Sequence, residues 1–492
     1  MKNIAVADHP FARLDGLGLA EIVHRKEVTP KELLDWAIGN VAELNPTLNC
    51  IAHRHDDAAR AQIVAGLPDG PFRGVPFLIK DLGVELAGTV TSLGSRAWLE
   101  SPPSTSDSEL IARYKRAGLV IFGKTTSPEL GITFTTESKA FGLTRNPWDL
   151  TRTPGGSSGG AASAVASGIV PMAHGSDGGG SIRTPASCTG LFGLKPSRGR
   201  TPSGPKTTEP WLGLLASHAL TRSVRDSAAL LDATAGPELG ARSALPPPRT
   251  GSFLGGLERP PERLRIGCVA TPPTGVPVDI ECTRAMREAA RLCESLGHHV
   301  EEVNVPLEAE ALDRGFLVLL QSLVAQMLRD RGLARGRPVT AEEVETVTWM
   351  HAEQGALLPA LALADANDAF QRAAIAVARL QTHHDVLLSP TLAKPPIPLG
   401  VLGLSPTDME AFRREMAGFS PFTWLANMTG QPSMSVPLHW SPTGLPIGVM
   451  FTGRFGEEGT LLRLARQLEV ALPWFDRRPT QIGRPPPSLT SC

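Results

Sequence analysis

The chain has 492 residues, 41% of them hydrophobic and 20% charged, with a formal net charge of −1. That length can bury a large core, and the composition is that of an ordinary globular protein. A charge so near zero excludes the basic surface that nucleic acid or an anionic bilayer would need as main partner.

The start, Met1 to Pro10, meets polar residues too soon to be a secretory signal. Leu19–Ile38 reads as two short helices split at Val28-Thr29-Pro30, with Thr29 as cap and Pro30 in a first turn. Gly74-Val75-Pro76-Phe77-Leu78-Ile79-Lys80-Asp81 is an apolar run ending in two charges, which predicts a buried strand whose end reaches a site. Asp107–Ala117 has a helical pattern, and Leu119–Phe122 after Gly118 reads as a buried strand. Cys282–Val305 reads as a helix and a strand broken at Gly297. Phe316–Leu328, interrupted by Gln321, Ser322 and Gln326, is too short to cross a bilayer and reads as an amphipathic or buried helix. Thr460–Ala471 is a closing helix. Strands alternating with helices predict an α/β protein whose central sheet is covered on both faces. The Pro-rich stretches Ala244–Arg249 and Arg259–Arg263 mark an internal linker, and the Pro-rich tail 476–492 reads as flexible.

The six cysteines (50, 188, 268, 282, 293, 492) form no CxxC pair, so they are expected as reduced core thiols of a cytoplasmic protein. No HExxH motif or Walker loop occurs, and the pairs His298-His299 and His383-His384 are expected in solvated positions. The cluster Lys195, Arg198, Arg200 reads as a solvated loop.

One segment has no packing rationale. It carries Gly155-Gly156-Ser157-Ser158-Gly159-Gly160, then Ser176-Asp177-Gly178-Gly179-Gly180-Ser181-Ile182-Arg183, then Gly193-Leu194-Lys195-Pro196. Glycine is kept where backbone turns sharply or approaches a ligand. Three glycines ahead of Ser181 let successive N–H groups point at one oxygen, which is how a backbone oxyanion hole is built. The Ser157–Ser158 loop leads into a strong helix former, Ala161–Ala166, so it lies near a helix N-terminus that favours negative charge. Gly156-x-Ser158-x-Gly160 also fits a nucleophile elbow, but that turn follows a strand, and Asn146–Pro154 with its two prolines is none.

These loops resemble the amidase signature family, in which a GGSS-G loop is followed by a G[TS]D-x-GGS loop and by G-L-K-P. Ser181 stands 24 residues after Ser157, the family's spacing. The Gly74–Asp81 segment is similar to the family's lysine motif, and Gly123–Glu129, Thr144–Asp149, Gly430-Gln431-Pro432 and Gly444–Gly448 extend the likeness over roughly residues 15 to 475. Thr221–Asp226 and Ala471–Trp474 are similar to bacterial hydrolases of the nylon-oligomer type. The resemblance implies one large domain over 1–475, catalytic core about 70–235, with a twisted, mostly parallel or mixed sheet. It implies Ser181 as nucleophile, Ser157 (after a cis peptide) as relay and Lys80 as base, with the N–H groups of Gly178, Gly179, Gly180 and Ser181 as oxyanion donors. Supporting residues are Ser158, Ser176, Asp177 and Arg183, with Asp177 and Arg183 pairing across the loop. Gly131, Ile132 and Thr133 are expected to border the substrate pocket.

The implied reaction is hydrolysis of a carboxamide C–N bond through an acyl-enzyme, extending to esters, anilides and carbamates, on a small-molecule substrate and without cofactor or metal. A monomer or homodimer is expected. Gly178 stands where the family has a small β-branched residue, and Cys188-Thr189 where an aromatic-Cys pair is frequent; Cys188 reads as a packed thiol. The alternative is the amidase subunit of a glutamyl-tRNA(Gln)/aspartyl-tRNA(Asn) amidotransferase. Thr184 and Ser203–Pro210 depart from that subunit's pattern.

Overall fold

In the computed structural model, which describes residues 9–204, 206–242 and 244–479, the helices begin where the sequence supplies caps. Thr29 and Glu32 form a reciprocal capping box ahead of the helix Pro30–Leu48, with Pro30 where its missing N–H loses no bond. The first helix is Gly16–His24, and the later ones expected run Glu109–Arg116, Ile280–Ser295 and Glu458–Ala471.

The strands are β1 (Ile51–Arg54), β2 (Pro76–Lys80), β3 (Val120–Thr125), β4 (Glu137–Ser138), β5 (Gly142–Leu143), β6 (Met172–Asp177), β7 (Phe192–Lys195) and β8 (Ala216–Thr221). They continue with β9 (Arg265–Cys268), β10 (His299–Glu302), β11 (Val386–Pro390), β12 (Ser433–Trp440) and β13 (Pro446–Gly453). β4 and β5 pair with each other; the rest form one sheet in the order β1-β3-β2-β6-β8-β7-β12-β13-β11-β9-β10. The sheet is mixed. Its parallel parts are β3-β2-β6 and β11-β9-β10, and every pairing between β6 and β11 is antiparallel, so the sheet is not mostly parallel. β9 to β13 follow the Pro-rich stretches yet lie in the same sheet, so those stretches connect elements without dividing the chain.

Alternation along β2 places the site. Leu78 packs with Val120, Phe122 and residues of the helices Pro30–Leu48 and Gly159–Ala166. Phe77 and Ile79 pack on the other face with Leu110, Ile111 and Tyr114. Both faces are therefore buried, and Lys80, in phase with Leu78, projects towards the start of the helix Gly159–Ala166.

The apolar stretch around Phe316 belongs to a longer helix, Ala309–Arg335, of 27 residues. Its length and hydropathy suffice for a bilayer span, but it packs against the helices Thr346–Ala356 and Ala360–Leu380. The crossing is close: a Cβ on Gly355 would lie 2.0 Å from the Gln321 carbonyl oxygen.

Several charged residues are not solvated as expected. Lys195 and Arg200 are buried, Arg200 pairing with Glu458 at 2.8 Å. Arg198 donates to the carbonyls of Gly213, Asn427 and Met428, because buried carbonyls past the strand ends need donors. His298 and His384 are buried as well, His298 Nδ1 accepting the Leu264 N–H at 3.1 Å. Cysteines 50, 188, 268, 282 and 293 are free and buried. Most of the Pro-rich tail lies outside the described residues; Arg478 within it donates to the Ala12 carbonyl at 2.7 Å.

Substituting Gly355→Val should lower stability by about 1–3 kcal/mol through overpacking at this crossing. Urea denaturation read by circular dichroism measures it.

Candidate active site

Lys80 closes β2, fully buried, with Nζ 2.7 Å from Ser157 Oγ and 3.1 Å from Ser176 Oγ. Ser176 arrives from β6, which runs parallel beside β2. The Lys80 backbone N–H donates to His174 Nδ1 at 3.2 Å, so an imidazole accepts from β2 at the residue that bears the amine. Ser157 sits in the loop before the helix Gly159–Ala166, after a cis Gly156–Ser157 peptide. Only glycine fits at 156, where a Cβ would be 2.1 Å from the Thr135 carbonyl oxygen. From the other side Gly131, with φ of 70°, presses on the relay position: a Cβ there would be 3.1 Å from Ser157 Oγ.

Burial pushes the Lys80 amine down from 10.5 to about 7, with the Asp177 charge pulling the other way. Among the described residues Lys80 makes no salt bridge, and its side-chain partners are the two hydroxyls. Near neutral pH such an amine is substantially uncharged and able to accept a proton.

β6 ends at Asp177, and this carboxylate shapes the next loop. It accepts the N–H groups of Gly180 (2.7 Å) and Ile182 (3.1 Å), Arg183 Nε (3.0 Å) and Nη2 (2.9 Å), and Asn427 Nδ2 (2.9 Å). Burial alone would raise the Asp177 carboxyl, but the Arg183 guanidinium, Lys195 and Asn427 hold it well below the usual range. Arg183 reaches on to Thr423 O and Asn427 Oδ1, both at 2.7 Å, and Thr423 Oγ1 donates to Gly179 O at 2.6 Å.

The folded loop leaves Ser181 8% exposed, against 1% for Ser157 and 0% for Lys80. The Ser158 N–H donates to Ser181 O at 3.2 Å and Ser158 Oγ to Ser176 O at 3.2 Å, so Ser158 fastens the two loops together. No hydrogen bond joins Ser157 Oγ to Ser181 Oγ in this unliganded state. The expectation for Gly180 needs correction: Asp177 takes its N–H, so it is no free oxyanion donor. Among the described residues the N–H groups of Gly178, Gly179 and Ser181 have no partner and remain available.

The glycine loop faces rings. A Cβ on Gly179 would lie 3.1 Å from Phe316 Cζ, and one on Gly178 would lie 3.4 Å from Trp211 Cε3 and 3.5 Å from Leu215 Cδ1. Trp211 and Leu212 have φ of 58° and 51°, consecutive left-handed residues that cost about 1–2 kcal/mol each. Of the expected pocket residues, Gly131 touches Ser157, Ile132 belongs to the apolar cluster against which Trp211 packs, and Thr133 is turned to Met416 Sδ at 3.4 Å, away from the serines.

His174, Thr423, Asn427, Trp211 and Phe316 escaped the sequence reading. One signal existed: Ser420, Thr423 and Asn427 interrupt an apolar stretch at spacings of three and four, which puts their polar groups on one side.

The arrangement places an uncharged amine, a hydroxyl and a more exposed hydroxyl beside free backbone donors, in a mixed α/β sheet protein. The family model described as "Amidase" matches residues 32–462, and the chain belongs to that family. It is 38% identical to a 6-aminohexanoate-cyclic-dimer hydrolase of Paenarthrobacter ureafaciens over 94% of this chain and 96% of that protein. A solved 6-aminohexanoate cyclic dimer hydrolase with substrate superposes with TM-score 0.90 at 35% identity, covering 96% of this chain and all of that one. A bacterial aryl acylamidase does so with TM-score 0.88 at 28% identity, covering 97% and 100%.

Arg183→Met leaves the buried Asp177 charge without its main partner and should cost about 3–5 kcal/mol at pH 7. Because the Asp177 carboxyl is depressed on folding, its contribution is complete above about pH 4, the unfolded carboxyl value, and is lost as acid protonates it. Unfolding free energies measured between pH 2 and 7 should show that loss in the wild type and not in Asp177→Asn.

Proposed function

We propose that this amidase cleaves carboxamide C–N bonds with Ser181 as nucleophile, Ser157 as proton relay and Lys80 as base. The observation that carries the reading is the buried Lys80 amine, free of carboxylates and 2.7 Å from Ser157 Oγ. Ser181 Oγ bonds to the carbonyl carbon while its proton passes to Ser157 and the Ser157 proton to Lys80. The oxyanion is held by the N–H groups of Gly178, Gly179 and Ser181, each such donor contributing roughly 3–4 kcal/mol to the transition state. The proton then returns through Ser157 to the nitrogen as the C–N bond breaks, and the amine leaves. Water repeats the sequence on the acyl-Ser181 ester and releases the acid. The relay hydroxyls close on each other when substrate fills the site, since such contacts are often long before binding.

Linear and cyclic amides are the substrate class, in keeping with the cyclic-dimer hydrolase and aryl acylamidase likeness. Esters, anilides and carbamates fit the same acyl-enzyme route. The amidotransferase-subunit alternative loses to this reading, because the relatives matched over nearly the whole chain carry hydrolase names.

Ser181→Ala should lower kcat roughly 10⁴- to 10⁶-fold, and a sulfonyl fluoride should label the wild type at Ser181, read by peptide mass. The rate of amide cleavage should rise about tenfold per pH unit up to about pH 7 and then level, as Lys80 loses its proton. Lys80→Met should abolish that rising limb; a flat wild-type profile would count against Lys80 as base.

A further inference from the structure

We infer that the acyl side of the substrate is an uncharged apolar chain or ring, seated against Phe316 and Trp211 beside the oxyanion glycines. This rests on the reaction proposed above. The reacting carbon has four neighbours in the tetrahedral state: Ser181 Oγ, the oxyanion on the Gly178–Gly179 amides, the nitrogen turned to Ser157 for its proton, and the acyl carbon. The nitrogen's side is bounded by Gly131, which has no room for a Cβ. The glycine side lacks side chains of its own, so an acyl chain leaving the carbonyl passes over what lies behind Gly178 and Gly179. What lies there is Phe316 Cζ and Trp211 Cε3, at van der Waals range from the built Cβ positions.

Three observations make this a binding surface in preference to core. Phe316, Trp211 and Leu215 are only partly buried, whereas Phe192, Phe419 and Phe451 are fully so. Trp211 packs against two separate apolar clusters, one containing Ile132 and the other packed by Phe316, so it makes a continuous wall from the Gly131 loop to the helix Ala309–Arg335. Its backbone and that of Leu212 are held in the left-handed region, a conformation that persists only where surroundings impose it and that clusters at ligand clamps. No charged side chain forms part of the wall, so a carboxylate on the acyl chain would lose water without gaining a partner.

The test uses p-nitroanilides sharing one leaving amine, with acetyl, butanoyl, hexanoyl and anionic glutaryl acyl groups. Wild-type kcat/KM should climb roughly fourfold per added methylene, and the glutaryl anilide should fall at least roughly tenfold below the butanoyl one. Phe316→Ala and Trp211→Ala should each cut the hexanoyl-to-acetyl ratio by roughly tenfold, with Phe316→Leu restoring most of it. The ratio compares two substrates on one enzyme, so it does not depend on how much of a variant folds. A ratio unchanged from wild type in both alanine variants, or glutaryl turnover equal to butanoyl, overturns the inference. Ser181→Ala separates it from the reaction it rests on. Continued release of p-nitroaniline by that variant removes the acyl-enzyme reading, whereas an inert Ser181→Ala with flat acyl ratios removes only the wall.

Discussion

The Asp177 carboxylate lies out of water at the end of β6 and has to find its donors within the chain. The donors it takes are what give the nucleophile loop its shape: Gly180 and Ile182 from the backbone, Arg183 from one turn on, and Asn427 from a segment 250 residues away. Because Arg183 and Asn427 also bind each other and Thr423, the loop is clamped from outside as well as from within. Consuming the Gly180 N–H is part of the arrangement. The turn it fixes leaves the neighbouring N–H groups without internal partners, and unpaired donors held rigidly are what a developing oxyanion requires.

The second constraint is the desolvated lysine. Lowering its amine from 10.5 to about 7 corresponds to on the order of 5 kcal/mol against the charged form. That penalty is present below pH 7 and fades as pH rises to 10.5, where the unfolded amine also loses its proton. A sheet buried on both faces can carry it. β2 alternates Leu78 and Lys80 against the helix Gly159–Ala166 and Phe77 and Ile79 against Tyr114, so the strand stays fixed although one side chain would prefer water. His174 helps by accepting the Lys80 backbone N–H, so the backbone at the amine-bearing residue is held through a side chain of β6.

Much of this was legible in the sequence, and the reasons differ by element. The capped helix at Pro30, the strand ending at Lys80 and the glycine loops carry local signals: a cap, an alternation, residues that only close backbone approach explains. The order of strands carries none, so the antiparallel centre of the sheet was not foreseen, nor was the joining of β9–β13 to it across Pro-rich segments. Lys195 and Arg200 read as solvated because charge is usually exposed, and the sequence gives no sign that distant Glu458 supplies a buried partner. Asn427, Thr423, Trp211 and Phe316 act through contacts made 200 residues or so from their own neighbours, or across a loop whose path depends on tertiary packing. Ser181, Ser157 and Lys80 could be named from pattern. The groups that hold and wall them could not.

Asp177 also bears on how strong a base Lys80 can be. Desolvation wins in the ground state, which is why the amine falls to about 7, and the Asp177 charge is what stops it falling further. An amine lowered much more would be neutral at any physiological pH but too weak to draw a proton through Ser157 from a serine hydroxyl. An amine paired directly with the carboxylate would stay charged and be no base at all. The observed geometry avoids both extremes by committing Asp177 to Arg183 while leaving it close enough to be felt. When the proton reaches Lys80, the ammonium formed meets that residual negative field, and the same carboxylate that positions the oxyanion donors offsets the charge created at the other end of the relay.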